Sequence, residues 1–228
     1  MKKIKGIIVL MLITSLVMAQ NKVSRKLRVG VYANGGTSSL VQGMGMNMNM
    51  YGNGYGNVSG SNMPMYGYGA SVGGGVSLGF LLNNQWSING NLGYMNRGVQ
   101  YGITSNFSAN SSRYRLSYID TWLLGQYSTL PKGAMKFTAS IGLTQSTLVS
   151  AKDETSTNTV NMMDNMNRVD IGMVLGPGME FSMKERGAIQ IKLLYNYGFM
   201  NAFRGMYYDS GMHANNAMFL LQIAYIFN

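Results

Sequence analysis

Ile189-Gln190-Ile191-Lys192-Leu193-Leu194-Tyr195-Asn196-Tyr197-Gly198-Phe199 carries a bulky apolar side chain at every odd position. Apart from Leu194, the even positions are polar or small. Successive side chains of a β-strand point to opposite faces, so this run reads as one strand with a single apolar face. Its length suits a strand that crosses a membrane at about 9–11 residues better than the usual soluble strand of about 5–6.

The same period recurs on both sides of this run. In 217–227, Ala217, Phe219, Leu221, Ile223, Tyr225 and Phe227 share one face, and Met218, Leu220, Gln222, Ala224 and Ile226 the other. In 168–183, Val169, Ile171, Met173, Leu175, Met179 and Phe181 stand opposite Arg168, Asp170, Gly172, Gly176, Gly178, Glu180 and Ser182. Further strands are predicted over 27–34, 68–81, 86–99, 113–127 and 136–147. In 113–127 the pattern suggests a bulge near Tyr118.

These strands number eight, an even count as bacterial membrane barrels have. Asn83-Asn84-Gln85, Leu130-Pro131-Lys132-Gly133 and Lys184-Glu185-Arg186-Gly187 read as tight turns. They alternate with long polar connections at about 36–67, 102–112, 148–167 and 200–215. The prediction is therefore all-β: an eight-stranded antiparallel up-and-down transmembrane β-barrel, with short periplasmic turns and long external loops.

Composition supports a surface that does not face water. Charged residues make up 11% of the 228, against roughly 25% in soluble domains, while Gly (30), Met (21) and Tyr (15) are abundant. There is no cysteine, which removes disulfides and thiolate metal sites. The net charge of +10 is scattered with no Lys/Arg stripe, so no nucleic-acid partner is expected.

Lys2, Lys3 and Lys5 precede an apolar run over 7–17, and Val17-Met18-Ala19 offers a cleavage site. This predicts a signal peptide at 1–19 and Sec-type export, since a spanning helix needs about 20 apolar residues. The mature domain is then 20–228, with both its ends periplasmic.

A soluble ligand-carrying barrel would also alternate, with its apolar face inward. Here the polar face is dense in small residues, such as Gly73, Gly75, Ser77 and Gly79, or Thr138, Ser140, Gly142 and Thr144. Small residues suit the crowded interior of eight strands. The charged residues Arg28, Arg97, Arg115, Asp120, Lys136, Asp170, Glu180 and Lys192 are assigned to that interior as a pairing network. Trp86, Tyr94, Tyr195, Tyr197 and Phe227 are assigned to interfacial girdles.

Several pieces carry a family resemblance. They are Gly79-Phe80-Leu81 before the turn into Trp86-Ser87-Ile88, Leu92-Gly93-Tyr94 leading to Arg97-Gly98, and Tyr118-Ile119-Asp120. Gly176-Pro177-Gly178-Met179-Glu180, Tyr195-Asn196-Tyr197-Gly198 and Tyr225-Ile226-Phe227 continue it. Over nearly the whole mature chain the sequence resembles the PorT-like outer-membrane β-barrels, similar in shape to the OmpA and OmpX barrels. Thr121-Trp122 stands where that family often has Ile-Pro, and Asn228 follows the final aromatic residue. The resemblance implies a porin-like outer-membrane protein of a Gram-negative-type cell, with outer-membrane lipid around it. It also implies recognition of the C-terminal strand by the assembly machinery, and an envelope protein as a partner.

The first long connection contains Met44-Gly45-Met46-Asn47-Met48-Asn49-Met50 and Met63-Pro64-Met65. No charged residue occurs between Arg28 and Arg97. Thioethers are soft ligands that select Cu(I), and Met44, Met46, Met48, Met50, Met63 and Met65 could converge on Cu(I) or Ag(I). Met162, Met163 and Met166, and Met200, Met206 and Met212, add to the external methionines. The competing reading makes these methionines adaptable contact residues. Asp209-Ser210-Gly211-Met212-His213 holds an acid, a hydroxyl and the single histidine, but neighbours in one loop rarely meet nucleophile–base geometry. No catalytic residue is assigned.

Three functions follow as expectations. The first is a non-enzymatic outer-membrane barrel with a closed polar interior and flexible contact loops. The second is an accessory component of a secretion or envelope-assembly complex, and the third is surface Cu(I)/Ag(I) binding.

Overall fold

The computed structural model describes residues 26–42, 65–66, 68–102, 112–129, 134–154, 158–183, 187–204 and 214–227. Eight long strands carry the architecture. They are β1 (Leu27–Gln42), β3 (Gly69–Leu81), β4 (Trp86–Gly102), β5 (Ser112–Ser128), β6 (Met135–Glu154), β8 (Val169–Ser182), β9 (Ala188–Asn201) and β10 (Ala214–Ile226). Each pairs antiparallel with the next, and β10 returns to β1 from Gly30↔Ile226 to Gln42↔Ala214. The sheet therefore closes and the eight long strands leave no edge, the condition for a sheet to lie in lipid. Two short strands are added at the loop end: β2 (Met65–Tyr66) on β4, and β7 (Thr159–Asn161) on β6.

Alternation decides which way each residue points. Outward positions are large and apolar, including Leu78, Phe80, Ile88, Leu92, Leu123, Ile141, Leu143, Leu193 and Phe219, all exposed. Aromatic residues cluster toward the two ends of this band. Trp86 packs on Tyr127 (5.1 Å between centroids) and Tyr225 on Phe227 (5.1 Å) at the turn end, while Tyr197 meets Phe199 (6.0 Å) nearer the loops.

Turn chemistry follows the sequence where the turns are described. Between β3 and β4 the Asn83 carboxamide oxygen accepts from the amides of Gln85 and Trp86, both at 2.8 Å, an Asx-type turn. The β8–β9 turn closes on Gly187 at φ +113°, a conformation that favours glycine.

The strands run well past the predicted boundaries at the loop end. β1 continues to Gln42, through residues predicted as loop, and β6 is 20 residues long. At about 3.3 Å per residue and a tilt of roughly 40°, β6 climbs about 50 Å, about twice the apolar band of a membrane barrel. The predicted bulge is also corrected. On β5 the residues Leu116, Tyr118, Asp120, Trp122 and Leu124 keep one parity and all face inward. The register shift lies across the β5/β6 pair, where Ser117 faces Ser150 but Tyr118 faces Leu148, so the extra residue is Val149 on β6.

Candidate functional site: the layered barrel interior

Strand β5 passes through every layer of the lumen. From its turn end inward-facing residues run Gln126, Leu124, Trp122, Asp120, Tyr118, Leu116 and Tyr114, and each finds neighbours of its own kind on other strands. The lumen is thus a stack of alternating polar and apolar layers.

In the first polar layer, at the turn end, Glu180 is the hub. It accepts from Gln190 Nε2 at 2.6 Å, pairs with Arg28 at 3.0 Å and lies 3.6 Å from Lys136 Nζ. Lys192 Nζ donates to Gln126 Oε1 at 2.8 Å. The next layer is apolar. Met95, Trp122, Leu124, Val174, Leu194, Met218 and Leu220 form one buried cluster, with Tyr32 stacked beside Trp122 at 6.5 Å. Glycines open the space these side chains need. A Cβ at Gly93 would run into the Tyr32 hydroxyl, so the tyrosine lies across a glycine groove.

The second polar layer centres on Arg97, whose side chain is 1% exposed. Its Nη2 donates to both carboxylate oxygens of Asp120 (2.8 and 3.0 Å) and to Ser146 Oγ (2.7 Å). The guanidinium carbon sits 4.1 Å from the Tyr118 ring centroid, a cation–π contact. Asp170 lies over Gly198 and accepts from Asn216 Nδ2 (2.8 Å) and the Met200 amide (3.4 Å).

The loop end is closed by a second apolar cluster. Leu40, Val99, Tyr114, Leu116, Tyr118 and Leu148 of the wall pack with Met162, Met166 and Phe203 from the connections. The third and fourth connections are hydrogen-bonded to each other here. Asn167 Nδ2 donates to the carbonyls of Asn201 (2.7 Å) and Phe203 (3.2 Å), and the Arg204 amide to Asn165 O (2.9 Å). Residues 158–167 and 201–204, predicted as flexible loop, instead form an ordered cover held by apolar burial.

The predicted interior charges are placed as follows. Arg28, Lys136, Glu180 and Lys192 meet at the turn end, and Arg97, Asp120 and Asp170 face the lumen higher up. Arg115 does not belong to the interior. It has the parity of Ile119 and Leu123, faces outward with its side chain 49% exposed, and pairs with Glu154 at 3.3 Å. Glu154 also takes Arg113 at 3.1 Å. The interior is not uniformly polar either, because the two apolar layers interrupt it. Trp122 and Tyr118, which sequence reasoning did not place in the lumen, are among its largest fully buried side chains. Their even parity with Asp120 was the available signal.

Of the predicted metal ligands, Met44, Met46, Met48, Met50 and Met63 lie outside the described residues. Met65 lies in β2, its backbone paired with Gly102. Met162 and Met166 are buried in the outer apolar cluster, where Met162 Sδ accepts from Asn165 Nδ2 at 3.8 Å. His213 and Asp209-Ser210 lie outside the described residues, as does the predicted signal peptide. Among the described residues no group of three or more His, Cys, Asp or Glu side chains is placed to hold a metal ion.

No curated sequence matches the chain. Solved structures similar to the chain include Neisserial surface protein A, 11% identical, covering 86% of this chain and 96% of that one with a TM-score of 0.45. The outer membrane protein OprG from Pseudomonas aeruginosa is 10% identical over 87% of this chain and 96% of its own, at a TM-score of 0.46. Ail, the attachment invasion locus protein of Yersinia pestis, is 12% identical over 89% and 99%, at 0.38. The family described as outer membrane protein beta-barrel domain matches residues 18–204. The chain belongs to that family and is an outer-membrane β-barrel protein.

Proposed function

We propose that the protein is a non-enzymatic outer-membrane barrel, closed to solute flow, that acts through its loop end. The observation that carries this is the pair of apolar layers across the lumen, one around Trp122 and one under Phe203. A hydrated path would have to cross both, and an eight-stranded interior is narrow enough to be filled by side chains. In planar bilayers the reconstituted protein is expected to give no stable single-channel steps. Steady porin-like conductance would overturn the closed-barrel reading.

The orientation proposed puts the short turns and both ends of the barrel sequence at the periplasm, after cleavage of residues 1–19. The aromatic end of the last strand, where Tyr225 contacts Phe227, then serves recognition by the assembly machinery. A contact role is supported by β5 and β6 rising beyond the apolar band with Arg113, Arg115, Lys152 and Glu154 on their outer face. An envelope protein as partner, in the manner of an accessory secretion or assembly component, is the form of contact that the PorT-like resemblance favours.

Copper binding by Met44, Met46, Met48, Met50, Met63 and Met65 is the alternative. Replacing these six by Leu preserves size and removes the sulfur lone pairs. Cu(I) titration against a chelator is expected to separate wild type from the variant if the loop ligates metal. Equal affinity would leave the methionines as contact residues.

A further inference from the structure

The loop end carries one sheet face whose charge is unbalanced. Cross-strand pairing sets the outer side chains of β4–β7 in two rows. One row runs Gly98, Arg115, Lys152, Asn161, and the next runs Gln100, Arg113, Glu154, Thr159. Both rows are polar or small throughout, and they set three cations against the single carboxylate of Glu154. Asp153 is the cross-strand partner of the buried Tyr114 and has the opposite parity.

The donors on this face are gathered and open to solvent. Arg113 Nη2 and Arg115 Nη1 lie 3.1 and 3.3 Å from the two oxygens of Glu154, so their guanidinium groups converge on one carboxylate. Their side chains are 45% and 49% exposed, and one carboxylate cannot occupy the five N–H donors that each guanidinium carries. Lys152 is exposed and has no hydrogen-bond or ion-pair partner among the described residues. It stands directly across from Arg115. Like charges directly opposite each other destabilise a sheet, and an anion between them removes that cost. Gly98, on the other side of Arg115, has no side chain and leaves space beside it.

The same strands carry lipid-facing residues directly below. Leu92 and Tyr94 on β4, Ile119 on β5 and Leu143 on β6 point outward and are exposed. From Ile119 to Arg115 the strand rises about 10 Å, at about 3.3 Å per residue and a tilt of roughly 40°. The headgroups of a bilayer add about 5–8 Å beyond the hydrocarbon on each side, and long cationic side chains cover the difference.

We propose that this face holds the phosphorylated headgroup of an outer-leaflet lipid, with Arg113, Arg115 and Lys152 as its donors. The acyl chains of the same lipid lie on the apolar strip beneath. A free anion would use the cations alone, whereas a lipid uses cations and strip together, and that continuity selects the lipid. The proposal rests on the loop end being a contact surface and names the partner of that surface.

The test uses the full chain in phosphatidylcholine bilayers. The sequence has no cysteine, so Ile119→Cys gives a single site for a fluorophore beneath the cations. Quenching is compared for phosphatidic acid and phosphatidylcholine, each spin-labelled near the top of one acyl chain. Phosphatidic acid is expected to be enriched at this site. Lys152→Gln or Arg115→Gln is expected to lower the enrichment about fivefold, the weight of one cation at an anionic surface. Lys136→Gln, at the opposite end of the barrel, is expected to leave it unchanged. Equal quenching by the two lipids would overturn the proposal, as would an enrichment that survives both loop-end variants. Loss of the enrichment to soluble glycerol 3-phosphate would make a free phosphate ester the ligand and overturn the lipid assignment. A photocrosslinker on Thr159→Cys in intact outer membranes separates failure of the proposal from failure of the contact role. Protein capture without lipid enrichment would overturn the lipid and keep the contact role, and neither signal would overturn both.

Discussion

The two polar layers of the lumen use the same residue types and solve different problems. Around Arg97 the charge is balanced by Asp120 within a sealed compartment, where Ser146 and the Tyr118 ring add contacts while the buried Nε and Nη1 meet no hydrogen-bond partner among the described residues. Around Glu180 one carboxylate serves two cations at an open mouth, and both of those cations keep contact with water. Burial therefore makes the loop-end pair obligatory, whereas solvent shares the load at the turn end. The worth of an internal ion pair depends on what remains when one member is removed.

The largest effect should come from Asp120→Ala, which strands the Arg97 guanidinium between two apolar layers. A loss of about 3–5 kcal/mol in urea unfolding is expected for breaking a buried pair on one side only. The double variant Arg97→Met with Asp120→Leu should recover most of that loss, since matched apolar replacement of a buried pair is often neutral. A double variant as unstable as Asp120→Ala would mean that the layer is needed for more than charge balance.

Glu180→Ala sharpens the comparison from the other side. Arg28 and Lys136 can turn to water, so the expected cost is smaller, about 1–2 kcal/mol in the same unfolding measurement. If Glu180→Ala proved as damaging as Asp120→Ala, the distinction between a sealed and an open layer would fail.

Arg115→Ala should do least. Its side chain is half exposed and its partner Glu154 is shared with Arg113, so a change of under about 0.5 kcal/mol is expected. A large loss of stability there would return Arg115 to the structural network in which its charge alone had placed it.

The contrast between Arg115 and Arg97 also indicates how far sequence reading reaches. Both are arginines near the loop end of a strand, and charge suggests the same interior place for each. Parity separates them, because Arg115 falls in step with Ile119 and Leu123 on β5 while Arg97 falls in step with Met95 and Val99 on β4. Supposing a bulge at Tyr118 hid that rule. The bulge is at Val149, and above it β6 changes parity, so Lys152 and Glu154 turn outward to meet Arg113 and Arg115.

Local sequence by itself determined the strand class, the eight long strands, their order and the apolar outer face. These depend on a two-residue period and on turn residues such as Asn83 and Gly187, which act within a few positions of the chain. The strand ends at Gln42 and Glu154, the cover built from Met166 and Phe203, and the four layers of the lumen were decided by tertiary structure. Arg28 meets Glu180 and Lys192 meets Gln126, 152 and 66 residues away on strands that are not neighbours, only because closing the barrel turns their inner faces toward one another. Alternation says that a side chain points inward. Which side chains it meets across the lumen is fixed by register and tilt around the whole ring, and no short stretch of sequence contains that information.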